Sequence, residues 1–294
     1  MLALYSDRLF MAAVGVYVLA MVLHAAEFAA VRSAKPVLVG AGGPDTPEAP
    51  ARSERFARMA VSLTVLGALL QFSSIVTRGV AAERWPLGNM YEFTSAICLA
   101  AVVGWLVMLR RSPVARGVGP FVLLPVVILL FLAGTVLYAQ AAPVVPALKS
   151  YWLVIHVTTI TISSGLLLVP GVASVLFLVR NAGHLADRLP SSDVLDRLAY
   201  RTTIIAFPLF TFAVIAGAIW AEAAWGRFWG WDPKETVAFV SWVVYAAYLH
   251  ARATSGWRAG RAAWINVAGF ATVLFNLFFI NMVVAGLHSY AGLG

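Results

Sequence analysis

The residues best suited to chemistry lie in one short segment, WGRFWGWDPKET at 225–236. Trp225, Phe228, Trp229 and Trp231 fall within seven residues and are interleaved with Gly226 and Gly230. A single tryptophan beside an apolar stretch is explained by the membrane interface, where indole rings collect. Four large aromatics separated by glycines fit that explanation less well. Glycine lets a flat ligand or another backbone approach closely, so the segment reads as an apolar platform for a planar molecule. The i, i+4 spacing of Trp225 and Trp229 predicts one face of a short helix. The run Asp232-Pro233-Lys234-Glu235 has an N-cap acid, a favoured proline at the first helical position and a glutamate three residues after the cap. That is a capping box. Capping is therefore the first role of Asp232, and it fixes the angle at which the loop enters the next helix. Lys234 or Arg227 could additionally pair with an anionic ligand.

Five histidines and one cysteine are further groups able to bind a metal. A lone Cys98 forms no internal disulfide and excludes an intrinsic C-x-x-C-H attachment site. Inside its apolar run it reads as a small buried residue. No acid–base dyad, nucleophile or phosphate-binding loop stands out. Chemistry carried by a bound group, with the protein orienting it, fits such a chain.

The elements that position these residues follow from composition. The 294 residues are 61% hydrophobic and 12% charged, against roughly 25% charged in soluble domains. Crossing a bilayer takes about 20 mostly apolar residues. Eight such stretches lie near 9–31, 58–77, 91–109, 120–140, 154–179, 203–222, 236–251 and 264–286. Backbone polar groups in lipid must be paired internally, and long continuous runs select helices over a barrel. The expected fold is all-α, a polytopic membrane bundle of about eight helices. The first run is too long for a signal-peptide core and no cleavage site follows it, so it reads as a retained span. A Gly, Pro and Ala-rich stretch, Lys35–Ser53, reads as a flexible linker. It divides a first span and linker, 1–57, from a main membrane domain, 58–294. The more polar Arg180–Tyr200 segment predicts a short surface helix capped by Ser191 or Ser192.

Basic residues sort by loop. Most of the 21 follow the first, third, fifth and seventh spans, for example Arg52, Arg55 and Arg58, Arg110 and Arg111, Arg197 and Arg201, and Arg258 and Arg261. Cytoplasmic loops are enriched in Lys and Arg, which predicts that these loops face the cytoplasm and that both termini face outward. The net charge of +8 is then a topology signal, not a nucleic-acid patch.

On this topology His156 and His288 sit at the outer ends of the fifth and eighth spans, level with the tryptophan segment. Two imidazoles on different helices at one depth can supply both axial ligands of a heme iron. Each alone is also explained as a hydrogen-bonding interface residue. His250 lies near the inner end of the seventh span. Intramembrane ionisable groups are costly and usually functional, though a neighbouring Arg252 also permits snorkelling. His24, three residues before Glu27, predicts a structural ion pair, and His184 reads as surface. Glu92, Asn266, Asn276 and Asn281 suit interhelical hydrogen bonding. Asn281, two turns before His288, faces the same cavity on helical spacing.

At these residues the chain resembles a known family. PLGNMYEF, KSYWLVIHV, WGRFWGWDPKET, YLHAR and GLHSY together look like the CcsA (ResC-like) cytochrome c biogenesis family, within the tryptophan-rich (WWD) heme-handling proteins. The likeness runs from about residue 58 to the end. It implies that His156 and His288 ligate heme iron outside the membrane as the central functional pair. Trp225, Gly226, Trp229, Gly230, Trp231 and Asp232 would form the heme-binding loop, and His250 would contribute to a second heme site within the membrane. The resemblance further implies a CcsB-type (ResB-like) membrane partner, which supplies the other ligand of that second site and carries a large outward domain that this chain lacks. A thiol-reducing membrane protein and an apocytochrome c would be further partners.

The implied function is that of a cytochrome c synthase subunit in the plasma membrane, or in a thylakoid membrane in a plastid. It would present heme on the outer face for thioether attachment to a C-x-x-C-H motif. Export of heme without attachment, delivery of heme to a separate chaperone, and a structural subunit without heme are the competing readings.

Overall fold

The computed structural model describes residues 1–30, 48–143, 150–185, 188–254, 257 and 259–288. The helices are α1 (Leu2–Ala30), α2 (Glu48–Ala82), α3 (Met90–Arg111), α4 (Gly119–Thr135), α5 (Tyr151–Asn181), α6 (Ser192–Trp225), α7 (Pro233–Ala253), α8 (Ala259–Phe275) and α9 (Asn281–Val283). A 3-10 turn, Pro113–Val118, leads into α4, and a π turn, Asn276–Ile280, joins α8 to α9. Among the described residues, seven of the helical units are long and apolar enough to cross a membrane. The exception is α7, whose apolar run is interrupted by Ser241, Tyr245, Tyr248, His250 and Arg252. It still packs between α6 and α8. The expected all-α membrane bundle is what is found, with no strand among the described residues.

Two expectations change. The surface helix foreseen in 180–200 is not separate. Ser191 caps a helix at its Val194 N–H, and that helix runs unbroken into α6, because nothing between Ser192 and Tyr200 disfavours helix. The linker foreseen at 35–53 lies mostly outside the described residues, and Glu48–Ser53 already belongs to α2.

α5 is the central helix, in contact with α3, α6 and α8. Small residues permit its close approaches. A Cβ at Gly165 would collide with the Ile97 carbonyl of α3, and one at Gly171 would lie 2.5 Å from the Phe270 ring of α8. Small residues at such crossings let backbones pack tightly in lipid. α1 and α2 form a hairpin joined by buried hydrogen bonds between Ser6 and Ser74, and Tyr17 donates to Gln71 at 2.8 Å.

Polar groups cluster at the two ends of the bundle. At one end the buried Glu92 carboxylate accepts from Arg78 at 2.8 Å, from Arg84 at 2.8 Å and from the Gly88 N–H at 2.8 Å. Arg78 also reaches Asp7 of α1 and the Ala139 carbonyl after α4. This knot gathers the start of α1, the α2–α3 loop and the end of α4. At the other end Arg116 pairs with Glu27 at 2.7 Å and Glu54 at 3.0 Å, and Arg252 pairs with Asp196 at 2.7 Å. His24 stands 3.5 Å from Glu27, as its spacing foresaw, and packs edge-on against Trp105. The chain thus alternates between ends.

Removing one partner from a buried ion network leaves uncompensated charge. Glu92→Ala is expected to lower stability by about 3–5 kcal/mol, read as a large drop in the unfolding temperature of the detergent-solubilised chain. Unchanged unfolding would show that the knot contributes nothing.

Candidate functional site

The tryptophan segment is built by two helix ends. α6 stops after Trp225 because Gly226 takes φ +71 and returns its N–H to the Glu222 carbonyl at 2.8 Å. A Cβ there would meet nothing, so the left-handed dihedral, not space, calls for glycine. This corrects the expectation of a short helix carrying Trp225 and Trp229: residues 226–232 are non-helical, and one indole arrives from a helix end, the other from the loop. Trp231 has φ +56, a conformation seldom adopted by bulky residues.

α7 opens with the foreseen capping box. Asp232 accepts from the Lys234 N–H at 3.3 Å, and Glu235 accepts from the Asp232 N–H at 3.1 Å and the Gly230 N–H at 2.9 Å. Glu235 therefore folds the loop back onto the start of α7. Asp232 does more than cap. Its Oδ2 accepts from His288 Nδ1 at 2.8 Å, and its Oδ1 accepts from the Leu287 N–H at 2.7 Å. A Cβ on Gly286 would lie 2.7 Å from Oδ1, so the chain after α9 wraps tightly on this carboxylate. Burial alone would raise the Asp232 carboxyl. The hydrogen bonds from His288, Leu287 and Lys234 outweigh that and hold it below the usual carboxylate range.

Behind the loop is a cavity of about 180 Å³. His156, Trp225, Trp229, Lys234, Glu235 and His288 line it at one end, and Ile160, Leu168, Phe210, Phe270 and Val273 line its apolar depth. Gly88, Asn89 and Met90 add a wall from the α2–α3 loop, which the Glu92 knot holds in place. That loop is also pinned to α5 by Trp85, whose indole N–H donates to Thr158 at 2.9 Å.

The two histidines share one neighbour. The His156 ring stacks on Trp220 at 6.0 Å and 7°, and His288 meets the same indole edge-on at 5.9 Å. Trp225 packs against Trp220 at 4.8 Å and against His288 at 5.1 Å. His156 Nδ1–H donates to the Ala213 carbonyl of α6 at 2.8 Å. It reaches that carbonyl because α6 carries Gly217, where a Cβ would lie 2.7 Å from the imidazole. His156 and His288 are thus each fixed through Nδ1.

The structure brings together His156, His288, Trp225, Trp229 and Asp232. Gly230 stands close by, covered by the Arg227 guanidinium, not by open space. Trp231 is 66% exposed and Phe228 is 61% exposed, and neither lines the cavity. His250 lies at the arginine-rich end, exposed on the last turn of α7 and apart from this cavity. Asn281 does not line the cavity; it bonds the ammonium of Lys234, which does. Sequence reasoning missed Trp220, Gly217, Ala213 and the link from Asp232 to His288.

The fold and site define a polytopic membrane protein with a histidine-bearing, tryptophan-walled cavity at one end of its bundle. The chain belongs to the cytochrome c assembly protein family, whose model matches residues 87–288. It is 34% identical over 259 residues to the cytochrome c biogenesis protein CcsA of Parasynechococcus marenigrum (strain WH8102), covering 78% of this chain and 85% of that one. It is 35% identical over 257 residues to the CcsA of Prochlorococcus marinus (strain MIT 9312), covering 78% and 83%. The CcsA of Guillardia theta is 34% identical over 256 residues, covering 78% and 84%. In fold the chain is similar to the cytochrome c heme lyase CcmF, with a TM-score of 0.69 at 18% identity, covering 95% of this chain and 47% of that one.

Proposed function

We propose that this chain binds heme as its substrate in the cavity behind the tryptophan loop and presents it for covalent attachment to apocytochrome c. The observation that carries the reading is the donor set: two imidazoles, His156 and His288, against one buried indole in a cavity lined by Trp225 and Trp229. Two imidazoles suit the axial positions of a porphyrin iron, and aromatic walls suit its flat faces. On this reading Nδ1 of each ring is the anchored nitrogen and Nε2 is the one that would ligate. Outer partners of this kind, a carbonyl for His156 and a carboxylate for His288, set tautomer and orientation and raise ligand basicity.

The tryptophan end faces outward on this reading, because most Lys and Arg residues lie on the loops at the opposite end. His250, exposed there, would serve a second heme site completed by a CcsB-type partner. The attachment reaction adds each thiol S–H of a C-x-x-C-H segment across one heme vinyl group. Sulfur bonds the carbon next to the ring, and hydrogen goes to the outer carbon. The protein contributes alignment, which can supply about 7–11 kcal/mol of a barrier.

Two experiments check this. Reconstitution of the full chain with a CcsB-type partner, heme, a thiol reductant and an apocytochrome should give covalent heme on the apocytochrome. Heme loading without any thioether product would leave export alone. Asp232→Asn keeps a capping side chain but weakens the hold on His288. It should lower heme affinity about 10–100-fold, the cost of losing an outer partner of a metal-bound histidine, with little change in the unfolding temperature. Unchanged affinity would remove Asp232 from the site.

A further inference from the structure

Lys234 lines the cavity together with His156 and His288. Its ammonium donates to Asn281 Oδ1, a neutral acceptor. Among the described residues no carboxylate forms a salt bridge with it. The two nearby acids are engaged elsewhere. Asp232 accepts from His288 and from two backbone N–H groups, and Glu235 accepts from the Gly230 and Asp232 N–H groups. Buried charges are ordinarily paired, and an ammonium has three N–H donors to place.

The residue is nonetheless held with care. Asn276 donates to its backbone carbonyl at 3.2 Å while Asn281 takes its ammonium. These asparagines begin and follow the π turn Asn276–Ile280; such turns inside α-helices often mark functional sites. Burial pulls the ammonium down to about 8 and Asp232 opposes that, so it remains mostly a cation at neutral pH. A positioned, half-buried cation facing a cavity asks for an anion from the ligand.

We propose that Lys234 binds a carboxylate of the cavity's ligand, a heme propionate on the reading above, and so determines which edge of the macrocycle faces out. Heme carries its two propionates on one edge and its vinyl groups away from it. Fixing a propionate beside α7 and the π turn leaves the vinyl carbons on the far side, where incoming thiols would need them. Lys234 is then a positioning residue for the attachment reaction. This inference rests on the heme reading, and the test separates the two.

The full chain, purified in detergent, is titrated with ferric protoporphyrin IX and with its dimethyl ester, which lacks the carboxylates, and the Soret band is followed. The wild type should prefer the free acid. Lys234→Met should weaken free-acid binding about tenfold or more, the worth of a hydrogen bond to a charged group, and leave the ester unchanged. Lys234→Arg should restore the preference. Equal weakening of both porphyrins, or of neither, would show that Lys234 only bridges α7 to α9 and would overturn the inference. A wild type that binds neither porphyrin would remove the heme reading itself, and this inference with it.

Discussion

Replacing His156 and His288 together with alanine is expected to empty the cavity of heme and reduce holocytochrome yield to background. His156 rises from α5 and is tied to the α6 backbone at 2.8 Å, while His288 arrives 132 positions later and is tied to Asp232 at 2.8 Å. The separate anchors mean that neither ring can swing to replace the other. Loss of both ligating nitrogens should exceed the roughly 10–100-fold cost of losing an outer partner. The fold should survive, because neither ring belongs to the Glu92 knot or to the crossings of α5 with α3 and α8. Visible spectra of the purified variant and heme stain of a co-expressed cytochrome read the outcome. Undiminished heme and cytochrome would remove the pair as ligands.

Gly217→Ala should also weaken heme binding, at a position with no side chain to bond a ligand. Its new Cβ would stand 2.7 Å from Cε1 and Nδ1 of His156. The imidazole must then leave Ala213 and its stack on Trp220. Alanine is the better helix former by about 1 kcal/mol, so α6 itself should not suffer. The expected signature is a split: unfolding temperature held or raised, heme affinity lowered about tenfold or more. Gly217→Val should be worse for heme. A Soret titration run beside thermal unfolding reads both. Full heme affinity in either variant would show that His156 does not work from the place it occupies.

The division between what was readable and what was not follows from distance along the chain. The spans were readable because about 20 apolar residues in a row admit one main interpretation. α7 was readable despite its polar interruptions, since the loops on either side left it no other course. The capping box at Asp232 was readable because its partners sit within three residues. What stayed hidden depends on contacts across tens of residues. Gly217 and Trp220 look like ordinary members of an apolar helix until α5 brings His156 against them. The bond from Asp232 to His288 joins α7 to the end of the chain, and no local pattern announces it. Trp231 stands in the same seven-residue aromatic cluster as Trp225 and Trp229. Its left-handed dihedral turns it outward, and such a dihedral at a bulky residue is not legible from residue type. The pairing of His24 with Glu27 was legible as an i, i+3 contact; the nearer claim of Arg116 on Glu27 was not.

On the proposed reading His156 and His288 together hold the iron of heme in the cavity behind the tryptophan loop. The spin state of ferric heme bound to a His250→Ala variant, in which the cavity is the site left to report, decides whether they do. Resonance Raman and electron paramagnetic resonance spectra should show a six-coordinate, low-spin, bis-imidazole iron that disappears when His156 or His288 is replaced. A five-coordinate high-spin iron, or a low-spin signal that persists after both replacements, would contradict the account.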